Sequence, residues 1–425
     1  MQASSAESEF DVVIVGSGMV GASLACALAD SGLRLAVLDS QPFAAPDAVD
    51  GSAADLADQA FDPRVSAITP ASQQFLNEIG VWDAIAVRRC SPYTDMHVWD
   101  GDGTGSIHFS ATDIHADLLG HIIENSVIVA ALQQRLRQSI HESADITLLA
   151  PVSLSGLRAP TTASQGTPVQ IELADGSRLT TRLLVAADGA NSTVRELAGF
   201  QTREWDYEHH AIVTTVRTQF PHRQTAIQRF MDKGVLAFLP LRTSLQGGRD
   251  DQRHCSIVWS VLPELAQALM ALDDAAFARE LQAAIENRLG TIESVDKRYS
   301  FPLRQRHAHS YVQQGIALIG DAAHTIHPLA GQGVNLGLQD ASVLAAEILQ
   351  ALSKGRDFAD LRTLRRYQRR RIGHNLGMMC MMEGFKRLFA EQPLAVRWLR
   401  NAGMAGLDKT VLIKNHIMRS AMGIE

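Results

Sequence analysis

The chain has 425 residues, 46% of them hydrophobic, enough for a large core and for two or three domains. Its net charge of -7 and pI of about 6.1 exclude a nucleic-acid binder as the default reading. Cys26, Cys90, Cys255 and Cys380 lie far apart without a CxxC pair, which fits a reducing compartment and argues against a disulfide framework or a structural zinc.

Charge is unevenly spread: from Arg362 to Glu425 there are 13 Lys/Arg against 4 Asp/Glu, so the remainder is strongly acidic. The stretch "MQASSAESEF" lacks a basic segment followed by an apolar one, and so does not read as a secretory signal. No uncharged apolar run approaches the roughly 18 residues that span a bilayer. The expectation is a soluble cytoplasmic protein.

In chain order, Asp11 to Ser40 reads strand, Gly-rich turn, helix, strand. Val12 to Val15 form an apolar run suited to a strand buried on both faces, Gly32 is the expected helix stop, and "LAVLD" is the next strand. Pro42 to Ala60, rich in Ala and Asp, reads as a surface loop. A hairpin is expected between Thr94 and Asp113 around "DGDGTG", and a helix over Val127 to Gln138. A second hairpin turns at Asp175-Gly176 and leads into a buried strand, Leu183 to Ala186. Strands dominate from His210 to Leu262, and "ELAQALMALDDAAFARELQAAIENRL" reads as helix. After "GDAAHTIHPLAGQGVNLGLQD", helices run onward. The fold class expected is α/β: a Rossmann-like unit with an inserted, mostly antiparallel sheet between His210 and about Phe301, and a helical C-terminus.

Three motifs carry the chemistry. Gly16-x-Gly18-x-x-Gly21 follows a strand and opens a helix, with Asp39 ending the second strand. Such glycines allow a tight turn, backbone approach to a pyrophosphate and close helix–strand packing, while the acid binds a ribose hydroxyl. This motif alone does not choose between NAD and FAD; a plain glycine-rich βαβ turn is the alternative. In "AADGANSTVRELAG" a buried strand ends at Asp188-Gly189 and Ser192 can cap the next helix. In the third motif Asp321 follows a strand end, within reach of a sugar or ribityl hydroxyl, and Gly331-Gln332-Gly333 precedes a helix whose free N–H groups favour negative charge. His324 and His327 have no acidic or Cys partner nearby in sequence, so no metal site is expected.

Together these motifs resemble the FAD-dependent aromatic hydroxylases related to p-hydroxybenzoate hydroxylase. "FDPRVSAITPASQQFLNEIGVWDAI", "YEHHAIVTTV", "QRFMDKGVLAFLPL" and "RSAMG" are most similar to the ubiquinone-biosynthesis hydroxylases among them, and the resemblance covers nearly the whole chain. It implies that Gly16, Gly18, Gly21 and Asp39 hold the ADP half of a non-covalent FAD. Arg64 would face the flavin or its pyrophosphate from a buried position, and Asp188 would serve the inner FAD region and the nicotinamide path. Asp321 would bind the ribityl chain, Pro328 would lie by the flavin ring, and Gly331, Gln332, Gly333, Val334 and Asn335 would cradle its pyrimidine edge. One departure stands out: Ser126 and Val129 occupy what are taken as the family's Arg and Gln positions, so FAD is either held by another residue there or held less tightly. His327 and Tyr207 are the catalytic candidates, each with a structural role as the alternative.

The resemblance also implies a division into 1–93, 118–205 and 302–355 as FAD-binding segments, 94–117 and 206–301 as substrate-side segments, and 356–425 as a helical region. The sheet from His210 to Phe301 would cover the flavin's substrate side, with Phe238 and Leu239 lining it. The implied activity is ring hydroxylation of a polyprenylated phenol in ubiquinone synthesis, with O2 and with NAD(P)H bound transiently, since no second GxGxxG follows a strand. The alternatives are a hydroxylase of a small soluble aromatic acid and a low-turnover flavoprotein subunit of a complex. "RTLRRYQRRR" and the mixed basic and apolar segment beyond it make the C-terminus a candidate for peripheral contact with the inner face of a membrane, or with a partner protein; the alternative is a solvated arginine face with the apolar residues packed on the main body.

Overall fold

The computed structural model describes residues 8–43, 60–101, 103–160, 167–232, 234–243, 250–325, 333–389, 406 and 410–423. The expected loop between Pro42 and Ala60 therefore lies largely outside the described residues.

The N-terminal unit is β1 (Ser8–Val15), α1 (Met19–Leu28) and β2 (Leu35–Leu38). Val12, Val13, Ile14 and all of β2 are fully buried, as strands covered on both faces must be. α1 ends at Leu28, earlier than the expected stop at Gly32, because Ala29 and Ser31 bond back to Cys26 and Leu28 in a tightened last turn. Next come β3 (Val65–Ile68), α2 (Pro70–Glu78) and α3 (Trp82–Ala86). Thr69 caps α2 by accepting from the Ser72 N–H, with Pro70 at the first helical position.

The chain continues through β4 (Cys90–Tyr93), β5 (Asp95–Asp100), β6 (Ser106–Ser110), β7 (Gly120–Glu124) and α4 (Asn125–His141). β8 (Ile146–Leu149), β9 (Leu154–Arg158), β10 (Val169–Leu173), β11 (Arg178–Ala186) and α5 (Thr193–Leu197) follow. Then come β12 (Thr202–Thr218), β13 (Thr225–Met231), β14 (Gly234–Leu241) and β15 (His254–Val261). The stretch expected as one helix is two, α6 (Pro263–Ala271) and α7 (Asp274–Ala284): Leu272 turns extended and Asp273 caps α7 by accepting from the Ala276 N–H. The chain closes with β16 (Ile292–Val295), β17 (Tyr299–Ala308), β18 (Val312–Gln313), β19 (Ile316–Leu318), β20 (His324–Thr325), α8 (Gly333–Ser353), α9 (Leu361–Phe389) and α10 (Val411–Met422).

Three sheets result. The first runs β18-β19-β11-β1-β2-β8 with β10 and β9 on its flank, and β19, β11, β1, β2 and β8 are mutually parallel. The second runs β20-β17-β12-β15-β14-β13-β5-β6 with β16 beside β12, and is antiparallel apart from the β5–β13 pair. The third is β3-β7-β4. The "DGDGTG" hairpin thus joins the second sheet through β5, although more than a hundred residues separate it from β13.

β14 divides its side chains between two cores. Leu236 and Phe238 pack with Ile257, Phe277 and Leu281 under α6 and α7, while Leu239 and Leu241 pack on the opposite face with Tyr93, Ile122 and Ile114. Phe238 therefore does not share a face with Leu239, which corrects the expectation that both line the same site; side chains alternate along a strand.

Candidate functional site

Three of the sequence motifs begin at neighbouring strand ends. Val15 is in register with Ala186, and Ala186 with Leu318, so the turns at Gly16, Asp188 and Gly320 leave side by side from the C-terminal edges of β1, β11 and β19. Leu38 of β2 pairs with Val15 from the other side and brings in Asp39. This edge, where strands end and helices begin, is where ligands bind in open parallel sheets.

Each glycine of the first turn has a separate reason. Gly16 takes φ +103°, and a Cβ there would stand 2.3 Å from the Ala187 carbonyl oxygen. A Cβ on Gly21 would stand 2.0 Å from the Gly16 carbonyl oxygen. Around Gly18, its chain neighbours apart, no atom of the described residues lies within 4 Å of where a Cβ would be. Gly16 and Gly21 are thus required by packing, whereas Gly18 faces open space. Asp39 accepts from the Ser17 N–H at 2.7 Å and its hydroxyl at 2.6 Å, and from the Gln41 N–H at 2.8 Å. It braces the first turn as well as standing at its rim.

In the second turn the Asp188 carboxylate accepts from the Val194 N–H at 3.2 Å, while its Oδ1 is buried with no hydrogen-bond partner among the described residues. Burial pushes this carboxyl above its usual range. Ser192 caps α5 as expected, accepting from the Arg195 N–H. Arg195 itself, which sequence reasoning missed, is buried and bridges two turns: its guanidinium donates to the Ala190 carbonyl at 2.8 Å and to the Ala322 carbonyl at 3.1 Å. Its only signal was its place one turn into a short helix after the DG pair.

The third turn is a 3-10 segment, Gly320–Ala322. Asp321 is exposed, and its carboxylate accepts no hydrogen bond among the described residues. Yet the surrounding protein desolvates it and raises its pKa, with His324 opposing and Asp340 reinforcing the shift. Gly320 (φ +59°) packs against Val20 of α1, so the first and third motifs touch.

Behind the third turn lies a buried charged network. Asp340 of α8 accepts from the Gly320 N–H at 3.1 Å, from His324, from Arg371 Nε at 2.7 Å and from Asn375 Nδ2 at 3.2 Å. His324 and Arg371 hold its carboxyl down to about 2 against the effect of burial. Asn375 also donates to the Tyr311 hydroxyl at 3.3 Å, which lies 2.9 Å from His307 Nε2. Arg371, expected on a basic surface, is only 4% exposed; the carboxylate that fixes it lies 31 positions earlier on another helix. His324, weighed as a metal ligand, is spent on Asp340, and among the described residues no group of His, Cys, Asp and Glu is placed to hold a metal.

Arg64, expected to be buried, is exposed, and its guanidinium meets no carboxylate among the described residues. Its segment is held by Glu124, which accepts from the Asp62 N–H at 2.7 Å and pairs with Arg89 at 2.9 Å, Arg89 lying over the Phe61 ring. Ser126 is exposed and its N–H donates to Asp62, while Val129 is half-buried on α4. The Asn335 side chain clamps β3 and the start of α2, accepting from the Thr69 N–H at 3.1 Å and donating to the Ala67 carbonyl at 2.7 Å. Gly333 and Val334 open α8. His327, Pro328, Gly331 and Gln332 lie outside the described residues. Tyr207 lies in β12 where its pairing with β17 shifts register. A cleft of about 240 Å³ adjoins the second turn, lined by Ala190, Asn191, Glu204, Trp205, Arg304 and Arg306.

A dinucleotide fits these residues: open space at Gly18, an orphaned buried oxygen on Asp188 and an Asp321 carboxylate that accepts no hydrogen bond among the described residues lie along one edge. The model of a family described as an FAD binding domain matches residues 9–380. The chain belongs to that family. Full-length relatives agree. The 3-demethoxyubiquinol 3-hydroxylase of Escherichia coli is 35% identical over 97% of this chain and 98% of its own. The mitochondrial ubiquinone biosynthesis monooxygenase of Xenopus tropicalis is 34% identical over 97% and 93%. Among solved structures, p-nitrophenol 4-monooxygenase from Pseudomonas putida shares the fold at TM-score 0.73 and 20% identity, covering 99% of this chain and all of that one. An anhydrotetracycline hydroxylase from Streptomyces rimosus does so at 0.68 and 20%, covering 98% of this chain and 76% of its own.

Proposed function

We propose that this FAD-binding protein is an NAD(P)H- and O2-dependent monooxygenase that hydroxylates the ring of a polyprenylated phenol on the way to ubiquinone. The observation that carries the reading is the convergence of Gly18, Asp188 and Asp321 on one sheet edge, through strand registers that run Val15, Ala186, Leu318. Full-length similarity to two ubiquinone-pathway oxygenases supplies the substrate class.

FAD, when bound, supplies hydride acceptance from NAD(P)H and the activation of O2. The chain's own part is to hold and enclose. Gly18 would leave room for the pyrophosphate, Asp39 and Ser17 would hold the ribose, Asp188 would complete its hydrogen bonding on the inner region, and Asp321 would hold the ribityl hydroxyls. Arg64 supplies a cation at the mouth. The two faces of β14 separate a structural core under α6 and α7 from the apolar layer that contains Leu239 and Leu241, and this layer is the substrate side. The cleft at Asn191, Trp205, Arg304 and Arg306 is the dock for the anionic co-substrate: Arg304 is exposed there, and Arg306 is fixed by Glu204 at 2.7 Å.

Peripheral membrane contact belongs to the same reading, since the tail of the substrate partitions into lipid. Among the described residues no helix is long and apolar enough to cross a membrane. Among the described side chains of the basic helix the exposed cations are Arg362, Arg365, Arg369 and Arg370, with Arg370 paired to Glu347 at 3.2 Å.

The test is incubation of the FAD-loaded protein with NADPH, O2 and a detergent-dispersed prenylated phenol. A product heavier by one oxygen atom and substrate-stimulated NADPH oxidation are expected. NADPH oxidation that no prenylated phenol stimulates, with no hydroxylated product, would refute the assignment. Deleting the gene and weighing the accumulated quinone precursor identifies the ring position.

A further inference from the structure

We infer that α10 forms one wall of the site that receives the isoprenoid tail, with Met418 and Met422 as the residues that yield to it. This rests on the function proposed above and adds where the tail goes.

Met418 and Met422 stand one helical turn apart and are each 4% exposed. They close an apolar layer with Leu239 and Leu241 of β14, Tyr93 of β4 and Ile122 of β7. That layer lies between the substrate-side sheet and the small β3-β7-β4 sheet, and Phe61 and Val65 extend it to either side of Arg64. It is a continuous apolar layer that an isoprenoid tail would enter by displacing its movable members. The opposite face of β14 packs against α6 and α7.

α10 is fastened at two places. At its start, Lys414 pairs with Asp113 at 2.9 Å and donates to the His108 carbonyl at 3.1 Å, and Asn415 donates to the Asp113 carbonyl at 2.8 Å. These partners belong to the substrate-side hairpin and the turn that follows it. At its end, Gly423 (φ +70°) is so close to α2 and α8 that a Cβ would stand 2.7 Å from Ala71 and 3.3 Å from Gln339. The helix is therefore a strap from the substrate-side hairpin to the cofactor-binding part, laid over the apolar layer. Between the fastenings its described inward contacts come from the two methionines. Methionine is unbranched, with three rotatable bonds and a polarisable sulfur, and it accommodates irregular apolar ligands where leucine would resist. A flexible, methyl-branched hydrocarbon chain is the ligand class that such a lining takes, and the polar fastenings hold the strap while the methionines move.

Two measurements test this. A prenylated phenol carrying a diazirine at the tail end is bound to the unaltered, FAD-loaded enzyme and photolysed. The peptide containing Met418 and Met422 is expected to carry the label, and label confined to other peptides overturns the inference. Independently, kcat/KM is compared for a long-tailed and a tail-less phenol in Met418→Trp and Met422→Trp. The long-tailed substrate is expected to lose at least tenfold more than the tail-less one, because a bulky ring fills the tail route. Equal losses for both would mark the methionines as structural and overturn it. If the Trp variants do not fold, Met418→Leu and Met422→Leu are read the same way, with a several-fold selective loss expected. Ring hydroxylation of neither phenol by the unaltered enzyme would overturn the proposed function itself, whereas hydroxylation of both with no label on α10 removes only the strap's role.

Discussion

At Gly18 the open space around a would-be Cβ separates a ligand role from a packing role. Gly18→Val is expected to fold with an unchanged melting temperature and to retain less than about a tenth of the flavin absorbance, because the side chain enters the pyrophosphate's place. Gly16→Ala should instead damage the fold, since its Cβ meets the Ala187 carbonyl. Full FAD content in Gly18→Val would remove Gly18 from the cofactor site. At Asp321 the argument is electrostatic. Its raised pKa means that the folded protein binds this proton more tightly than the unfolded chain, so stability falls as pH rises from the ordinary carboxylate range through the folded value. Asp321→Asn in the FAD-free protein should therefore melt higher than the parent at neutral pH, with the gain vanishing in acid, while Asp321→Ala loses turnover. A lower melting temperature for Asp321→Asn at pH 7 would show that the carboxylate is structural. These glycines and aspartates were legible in the sequence because backbone geometry and charge at a strand end leave few other residue choices. Arg195 was not: its partners are carbonyls, which carry no residue signature.

Among elements, the junction of α8, α9 and the Gly320–Ala322 turn depends on Asp340. Its depressed pKa means that this carboxylate stabilises the fold above the ordinary carboxylate range, and that the contribution disappears as pH falls toward about 2. Arg371→Met leaves a buried carboxylate short of one partner and should cost roughly 3–5 kcal/mol in denaturant unfolding. Arg371→Lys should recover only part, because the guanidinium also donates to Gln339, Leu336 and Asn375. A loss below about 1 kcal/mol in Arg371→Met, the range of surface pairs, would mean that the network does not hold the helices together. The split of the expected helix into α6 and α7 is decided at the same scale, where the Asp273 cap outweighs continued helix.

For the molecule as a whole, the question is how a protein without a membrane-crossing helix among its described residues meets a lipid-soluble substrate. The reading proposed above assigns this role to the exposed arginines of α9, since near an anionic surface each basic residue contributes about 1 kcal/mol. Arg362→Gln, Arg365→Gln and Arg369→Gln together should reduce flotation with anionic liposomes by roughly two orders of magnitude in affinity at low salt, with little binding to neutral liposomes. Arg371 does not belong in this test, since its loss unfolds rather than uncharges. Flotation unchanged in the triple variant would transfer the role to another surface or to a delivering partner.

What the sequence by itself determined is local: the parallel-strand unit, the turn glycines, the acids at strand ends and the α/β class. All of these follow from periodicity and backbone sterics within a few residues. Nearly all of the hairpin and strand readings were also local in this sense. The rest was decided by contacts between distant segments. Only the tertiary structure put β5 beside β13, turned Phe238 away from Leu239's neighbours, buried Arg371 against Asp340 and laid α10 over the apolar layer. A side chain's environment there depends on which far element arrives opposite it, and no window of neighbouring residues encodes that arrival. The positive run from Arg362 to Arg371 shows the difference: composition alone makes it one surface, whereas the fold sends Arg371 inward, where with His324 it pairs with the buried Asp340.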